Sequence, residues 1–298
     1  MDKYNLTPVD IQTGINRLLA DAYASSTVSN NPSLIYISAG PGAGKTAIEM
    51  HFKNEFKDKG EKAYSINSDK IAEFHPNYED ALEELPEECY RITRQFVRPA
   101  APKIYEELME NKINIINENT LDKGDSDIEL TRKFKEHGYK VIVNIIATDL
   151  FESRLSCYER EAAMLLASLT PRGCSKETQI RMYDAFVPEI KKLDELGLCD
   201  DINVYVRGEN INKPPILKYS KEKNSTYHNF NDALVEERAK QRQKLLEDPE
   251  NYLFRIKSAK NTIANYGVNE QLTQNSLNGL NELQNDFLQE LAKNEFQR

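Results

Sequence analysis

Positive charge is what this 298-residue chain is short of: 39 Lys and Arg stand against 48 Asp and Glu, a formal net charge of −9. Nucleic-acid binding draws on clustered Lys and Arg, so the balance speaks against a nucleic-acid partner. A small anionic ligand is not excluded, because it needs only a local positive pocket. Long apolar runs are missing too. None approaches the roughly 18 residues of a membrane span, and the opening MDKYNLTPVD has no apolar signal core. The expectation is a cytoplasmic protein with no membrane partner.

Cysteine is scarce. Cys89, Cys157, Cys174 and Cys199 lie far apart with no CxxC pair, which suits reduced thiols better than metal ligands or disulfides. Only four histidines are present, scattered, which argues against a transition-metal site.

What is present is alternation. Short apolar runs at 34–38, 63–66, 113–116, 141–146 and 204–206 are rich in Ile and Val, as buried parallel strands are. Helical patterns lie around them. Ile11, Ile15, Leu18 and Leu19 follow the start signal Thr7-Pro8. Asp149 with Glu152 reads as a capping box for a helix through about residue 167. Ile180, Tyr183, Val187, Ile190 and Leu193 share one side of 176–196. Together these predict a three-layer α/β domain with a mostly parallel sheet that closes near residue 210.

Beyond KPPILKYSKEKNSTYHN the character changes. From Phe230 the chain is rich in Glu, Gln, Asn, Lys and Leu, with breaks at Pro249 and Gly267. Leu277, Leu280, Leu283, Phe287 and Leu291 form a helical stripe. The predicted division is an N-terminal helical segment over 1–32, an α/β domain over 33–215, and a helical C-terminal extension of two or three helices over 228–298. The stripe suits packing onto the α/β domain or a dimer contact. The sequence leaves the oligomeric state open.

The stretch AGPGAGKT, residues 39–46, follows a short apolar run and precedes the helical pattern AIEMHFKNEF. That is the setting a phosphate-binding loop requires. Gly40, Gly42 and Gly44, with Pro41 and Ala43 between them, allow backbone N–H groups to surround phosphates. Lys45 then reaches the β- and γ-phosphates of ATP, and the Thr46 hydroxyl holds Mg²⁺. Ala39, where the pattern usually opens with glycine, is a small departure.

A kinase also needs a carboxylate for the acceptor hydroxyl and cations over the transferring group. AYSINSD delivers Asp69 to the end of a strand run, on the sheet edge where the loop lies. From the residues alone two readings stand, a base or the cap of the following KIAEF helix. INIINENT delivers Glu118 and Thr120 in the same manner, as substrate ligands or as a polar strand end. Arg160 in YERE and Arg172 in LTPRGCSK, twelve residues apart, are placed to flank a lid, though each alone is as easily a surface charge.

SAGPGAGKT, INSDKIAEFHPNY, INENT, CYERE and PRGCSK, in this order, resemble the zeta toxins, the kinase halves of bacterial epsilon/zeta-type toxin–antitoxin systems. The resemblance spans 33–208, and NSD followed by HPNY is its most specific piece. It implies an adenylate-kinase-like P-loop fold and phosphorylation of a sugar hydroxyl of UDP-N-acetylglucosamine, which starves cell-wall synthesis. It makes Lys45 and Thr46 the ATP–Mg²⁺ residues and Asp69 the base. Glu118 and Thr120 become ligands of the nucleotide-sugar substrate, while Arg160 and Arg172 stabilise the phosphoryl group. A helical antitoxin protein is the implied partner, and the C-terminal helices are alternatively an attached regulator of that kind.

One departure bears on the acceptor. Family members carry a basic residue shortly after Glu-x-Thr, where this chain reads Leu121-Asp122-Lys123. Some relatives phosphorylate other nucleotide-linked acceptors, NAD among them, and a nucleotide-gated binding module without catalysis is the non-enzymatic alternative. Arg91, Arg94 and Arg98 share a helix face and read as a solvated surface or, alternatively, as a patch attracting a substrate diphosphate; His75 before Pro76 reads as a turn residue, with a catalytic role as the alternative.

Overall fold

Five parallel strands form where the β-branched runs were expected: β1 (Ser33–Ser38), β2 (Tyr64–Ile66), β3 (Ile115–Glu118), β4 (Lys140–Ile146) and β5 (Asp201–Val206). A sixth, β6 (Ile216–Ser220), pairs antiparallel with β5, giving the order β2-β3-β1-β4-β5-β6. The sheet therefore extends past residue 210. The structure is a computed structural model that describes residues 2–85, 88–169, 175–208, 213–223 and 225–296.

The helices are α1 (Pro8–Ser25), α2 (Lys45–Asp58), α3 (Ser68–Ala72), α4 (Tyr78–Glu84), α5 (Cys89–Glu110), α6 (Asp125–Glu136), α7 (Leu150–Leu166), α8 (Lys176–Tyr183), α9 (Val187–Glu195), α10 (Phe230–Glu247), α11 (Pro249–Tyr266) and α12 (Glu270–Phe296). Alternate strand residues point to opposite faces. Leu34 and Tyr36 accordingly pack with α1, α5, α6, α9 and α10 in the larger core, whereas Ile35 and Ile37 pack with Ile48, Phe52 and Phe56 of α2. This is the three-layer P-loop kinase fold, with helices C-terminal to it.

Local chemistry explains most boundaries. Thr7 caps α1 in a full capping box with Asp10. The 176–196 pattern is two helices, because Pro188 starts α9 afresh after Tyr183; Ile180 is consequently exposed, and Phe186 takes the buried place. Asp149 caps α7 through the Phe151 N–H, but Glu152 does not complete the expected box. Its carboxylate turns instead to Arg207 and Arg255.

Pro249 and Gly267 bound α11 as expected. Phe230, Ala233 and Leu234 of α10 belong to the main core. Leu280, Leu283 and Phe287 of α12, all fully buried, share a second core with Tyr252 and Ile256 of α11 and Phe151, Leu155 and Tyr158 of α7. No described helix is long and apolar enough to cross a membrane. Cys89, Cys157 and Cys199 are buried and form no disulfide, and Cys174 lies outside the described residues.

Candidate active site

The loop over residues 39–44 turns the chain from the end of β1 into α2. Gly42 and Gly44 stand at φ 72° and 94°, the left-handed region where a side chain strains the backbone. A Cβ on Gly42 would lie 2.2 Å from the Ser153 carbonyl oxygen of α7, so the loop rests directly on that helix. Gly40 has no such restriction, its nearest neighbour being Tyr183 Cα at an ordinary 3.5 Å. Lys45, at the start of α2, folds over the loop with Nζ 3.1 Å from the Gly40 carbonyl and 3.3 Å from that of Ala39. The Ala43 N–H points to the same Gly40 oxygen at 3.4 Å. A cation and an amide thus converge on the Gly40 carbonyl oxygen beside the positive end of a 14-residue helix, a setting that suits an anionic group.

The neighbouring strands bring acids to the same edge. β3 lies between β1 and β2, so the carboxyl ends of all three are adjacent. Glu118 ends β3 in register with Ile37 of β1. Asp69 follows β2 by three residues in the first turn of α3, and Asn67 rather than Asp69 is the helix cap, accepting the Lys70 N–H at 2.7 Å. Burial raises the Glu118 carboxyl above the ordinary glutamate value; Lys45 and an Asn67 hydrogen bond oppose that, while Glu49 and Asp69 add to it. Lys45, Glu118 and Asp69 therefore occupy one electrostatic neighbourhood.

A cleft of about 810 Å³ opens from this edge, and its walls include Asp69, Glu118, Glu49, Lys53 and Asn67. Thr120 is not among the residues lining it. The Thr120 hydroxyl donates to Asp122, and its carbonyl accepts from Ser38 Oγ at 3.1 Å. Thr46 is exposed in the first turn of α2. Arg160 is exposed on α7, at helical spacing from Ser153 and Cys157, which touch the loop. Arg172 lies outside the described residues. Arg91 and Arg94 are exposed and bonded to Glu88 and Tyr90, while His75 is buried and accepts the Asn77 N–H at 3.0 Å, fixing a turn.

The structure adds a residue that the sequence reading passed over. Arg207, just past β5, donates from Nε to the Ala43 carbonyl at 3.0 Å and from Nη2 to the Gly42 carbonyl. Its Nη1 reaches Glu152 at 3.1 Å and Ser156 Oγ at 3.0 Å. The available signal was its place: it follows a strand run, on the same edge as Asp69 and Glu118.

A glycine-rich loop between β1 and α2, with carboxylates from the adjacent strand ends beside it, defines a P-loop protein of the kinase-like class. Within that class the chain belongs to the zeta toxin family, whose model matches residues 16–228. It is 25% identical over 208 residues to the toxin PezT of Streptococcus pneumoniae serotype 4 (strain ATCC BAA-334 / TIGR4), covering 70% of this chain and 81% of PezT. A solved structure from the PezAT chromosomal toxin–antitoxin system of S. pneumoniae matches with a TM-score of 0.62 at 22% identity, over 82% of this chain and 99% of that one. The AvrRxo1-ORF1:-ORF2 structure with ATP matches with a TM-score of 0.52 at 14% identity, over 94% and 86%. These structural likenesses speak to the fold. The fuller coverage of the last takes in most of the C-terminal helices.

Proposed function

We propose that the chain is an ATP-dependent kinase that transfers the γ-phosphate to a sugar hydroxyl of UDP-N-acetylglucosamine or a related nucleotide sugar, blocking cell-wall synthesis, and that a helical antitoxin protein is its partner. The observation that supports this is the convergence of Lys45, Glu118 and Asp69 at the carboxyl ends of neighbouring strands, beside a cleft of about 810 Å³. In this reading Asp69 accepts the proton of the acceptor hydroxyl as its oxygen bonds to phosphorus and the bond to the ADP oxygen breaks. Lys45, Arg160 and Arg172 offset the negative charge spreading over the phosphoryl oxygens. Glu118 and Thr120 orient the sugar.

The donor set suits Mg²⁺. The described residues hold no group of three acidic, His or Cys side chains fit for a metal cage, and Mg²⁺ is ordinarily held by few protein oxygens plus substrate phosphates. Thr46 is the protein oxygen in that scheme, and the bound ion would neutralise phosphate charge. The role of Thr46 and the requirement for Mg²⁺ are part of the proposal.

A second reading keeps the chemistry and changes the acceptor to NAD or another nucleotide-linked alcohol. The loop after Glu118 favours it. Leu121, where family members carry a basic residue nearby, is fully buried at φ 48°, and Lys123 donates its backbone N–H to Asp127. The test is incubation with Mg-ATP and a panel of nucleotide sugars and dinucleotides, followed by mass spectrometry. UDP-N-acetylglucosamine gaining a phosphate supports the first reading, and another compound gaining it selects the second. Asp69→Asn should cut turnover by roughly 10²–10⁴-fold while ATP affinity stays close to wild type. Full turnover in that variant removes Asp69 as the base, and no phosphorylated product from any acceptor defeats the kinase reading.

A further inference from the structure

Side chains from elsewhere in the fold bind three successive carbonyls of the loop. Ser153 Oγ donates to the Pro41 oxygen, Arg207 Nη2 to the Gly42 oxygen, and both Arg207 Nε and Thr148 Oγ1 to the Ala43 oxygen, the last at 3.0 Å. In a trans peptide the carbonyl of one residue points opposite to the N–H of the next. Holding the oxygens of residues 41, 42 and 43 outward therefore turns the N–H groups of Gly42, Ala43 and Gly44 inward. Those amides are the ones a phosphate-binding loop uses.

Arg207 supplies two of these four bonds, and its own position is fixed from the C-terminal helices. Its Nη1 bonds Glu152, and Glu152 is gripped by Arg255 of α11, whose Nη1 and Nη2 each lie 2.8 Å from a Glu152 oxygen. The same guanidinium holds Glu159, seven residues and about two turns further along α7, with two further bonds of 2.8 Å. Burial favours the neutral forms of Glu152 and Arg207. Arg255 and Arg207 outweigh this at Glu152, whose carboxyl falls below its ordinary value.

A parallel chain runs from α10. Arg238 stacks 3.8 Å from the Tyr183 ring centroid, Tyr183 donates to the Thr148 carbonyl at 2.9 Å, and Thr148 donates to Ala43.

We infer that Arg207 is a positioning residue for the phosphate-binding loop, and that Arg255 of the C-terminal extension sets it through Glu152. The helices beyond residue 228 are on this account part of the nucleotide site's construction. The inference rests on the reading of residues 39–46 as a nucleotide loop, and the experiment separates the two claims.

The measurement is the dissociation constant of the full-length protein for ATP by calorimetry, with the melting temperature recorded for each variant. Arg207→Met is expected to weaken ATP by about tenfold or more, and Arg207→Lys, with one ammonium for two carbonyls, to recover part of the loss. Arg255→Gln is expected to weaken ATP by roughly three- to tenfold, although it reaches the loop only through Glu152 and Arg207. Because both act through one relay, the double variant Arg207→Met/Arg255→Gln should match Arg207→Met to within about twofold.

Losses that multiply in the double variant overturn the relay. ATP affinity within about twofold of wild type in folded Arg207→Met overturns the positioning role. Should Arg207→Met fail to fold, Arg255→Gln carries the test, and an unchanged ATP affinity there, whatever its melting temperature, overturns the inference. Wild-type protein that binds no ATP refutes the nucleotide reading itself, and the inference falls with it.

Discussion

At the scale of single residues, the glycines of the loop are not equivalent. Gly42 combines φ 72° with a Cβ position 2.2 Å from a backbone oxygen that cannot rotate away. Gly42→Ala should cost about 1–2 kcal/mol from the left-handed backbone alone and displace the loop from α7 besides. Gly40→Ala meets only ordinary contacts, and its melting temperature should shift by the equivalent of roughly 0.5 kcal/mol or less. Thermal denaturation of the two variants checks this ranking, and a reversed order contradicts the loop's described seat on α7.

Glu152 gives a pH prediction with a definite sign. Its folded pKa lies below the ordinary 4.5, because Arg255 and Arg207 outweigh burial. As pH falls, the unfolded chain takes up the proton first. The stabilisation is thus present above about pH 4.5 and lost as pH drops through the folded value. Melting curves between neutral pH and about pH 3 should converge for wild type and Glu152→Gln, with wild type the more stable at neutral pH. A gap that widens in acid contradicts the assignment.

At the scale of elements, α7 is held by α12 through a buried charge. Arg154 is 2% exposed, and among the described residues its one hydrogen-bond partner is Asp286 of α12, 2.8 Å from Nη1. Asp286 also lies 3.4 Å from Lys176 of α8, so one carboxylate ties three helices. Removing it leaves a buried guanidinium uncompensated, which typically costs 3–5 kcal/mol (here taken as about 3). Asp286→Ala should lose that much in urea denaturation, and Arg154→Met/Asp286→Leu should regain most of it. A double variant no more stable than Asp286→Ala would show that the charge is not the cause.

Much at this scale was legible in advance, for identifiable reasons. Strands β1, β4 and β5 are buried on both faces, so apolar runs such as Val141 to Ile146, interrupted by Asn144 alone, announce them. β6 is a half-exposed edge strand in which only Ser220 is buried, and it begins just after two prolines, so no apolar run marks it. The placement of residues 39–46, Asp69 and Glu118 on one sheet edge is legible from local pattern because each follows its own strand. Arg207 belongs to no pattern around the loop. It meets Gly42 and Ala43 across more than 160 positions of chain, a proximity created by the β1–β4–β5 pairing. Glu152 was misread for the complementary reason: Asp149 and Glu152 have capping-box spacing, and only the tertiary arrival of Arg255 and Arg207 draws the carboxylate elsewhere.

At the scale of the whole molecule, the C-terminal helices admit two accounts with opposite consequences. If they are an attached inhibitor, their removal releases activity. If they are structural, removal uncovers what they bury. Phe151, Leu155, Tyr158, Ala162 and Leu165 of α7 are covered by α11 and α12, and Leu280, Leu283 and Phe287 alone each withdraw a side chain worth about 1.5–3 kcal/mol when buried. Helix α7 is also the element on which the phosphate loop rests, through Ser153 and Cys157. A chain ending at residue 248 should therefore aggregate or melt well below the full-length protein and bind ATP poorly, as read by size-exclusion chromatography, thermal denaturation and calorimetry. A monodisperse truncated chain with higher phosphotransfer would establish the inhibitor account. The structural account is favoured because α11 and α12 meet α7 in an apolar core reinforced by ion pairs at the buried Arg154 and the half-buried Glu152, whereas an inhibitor that must come away is better served by a separable, polar interface.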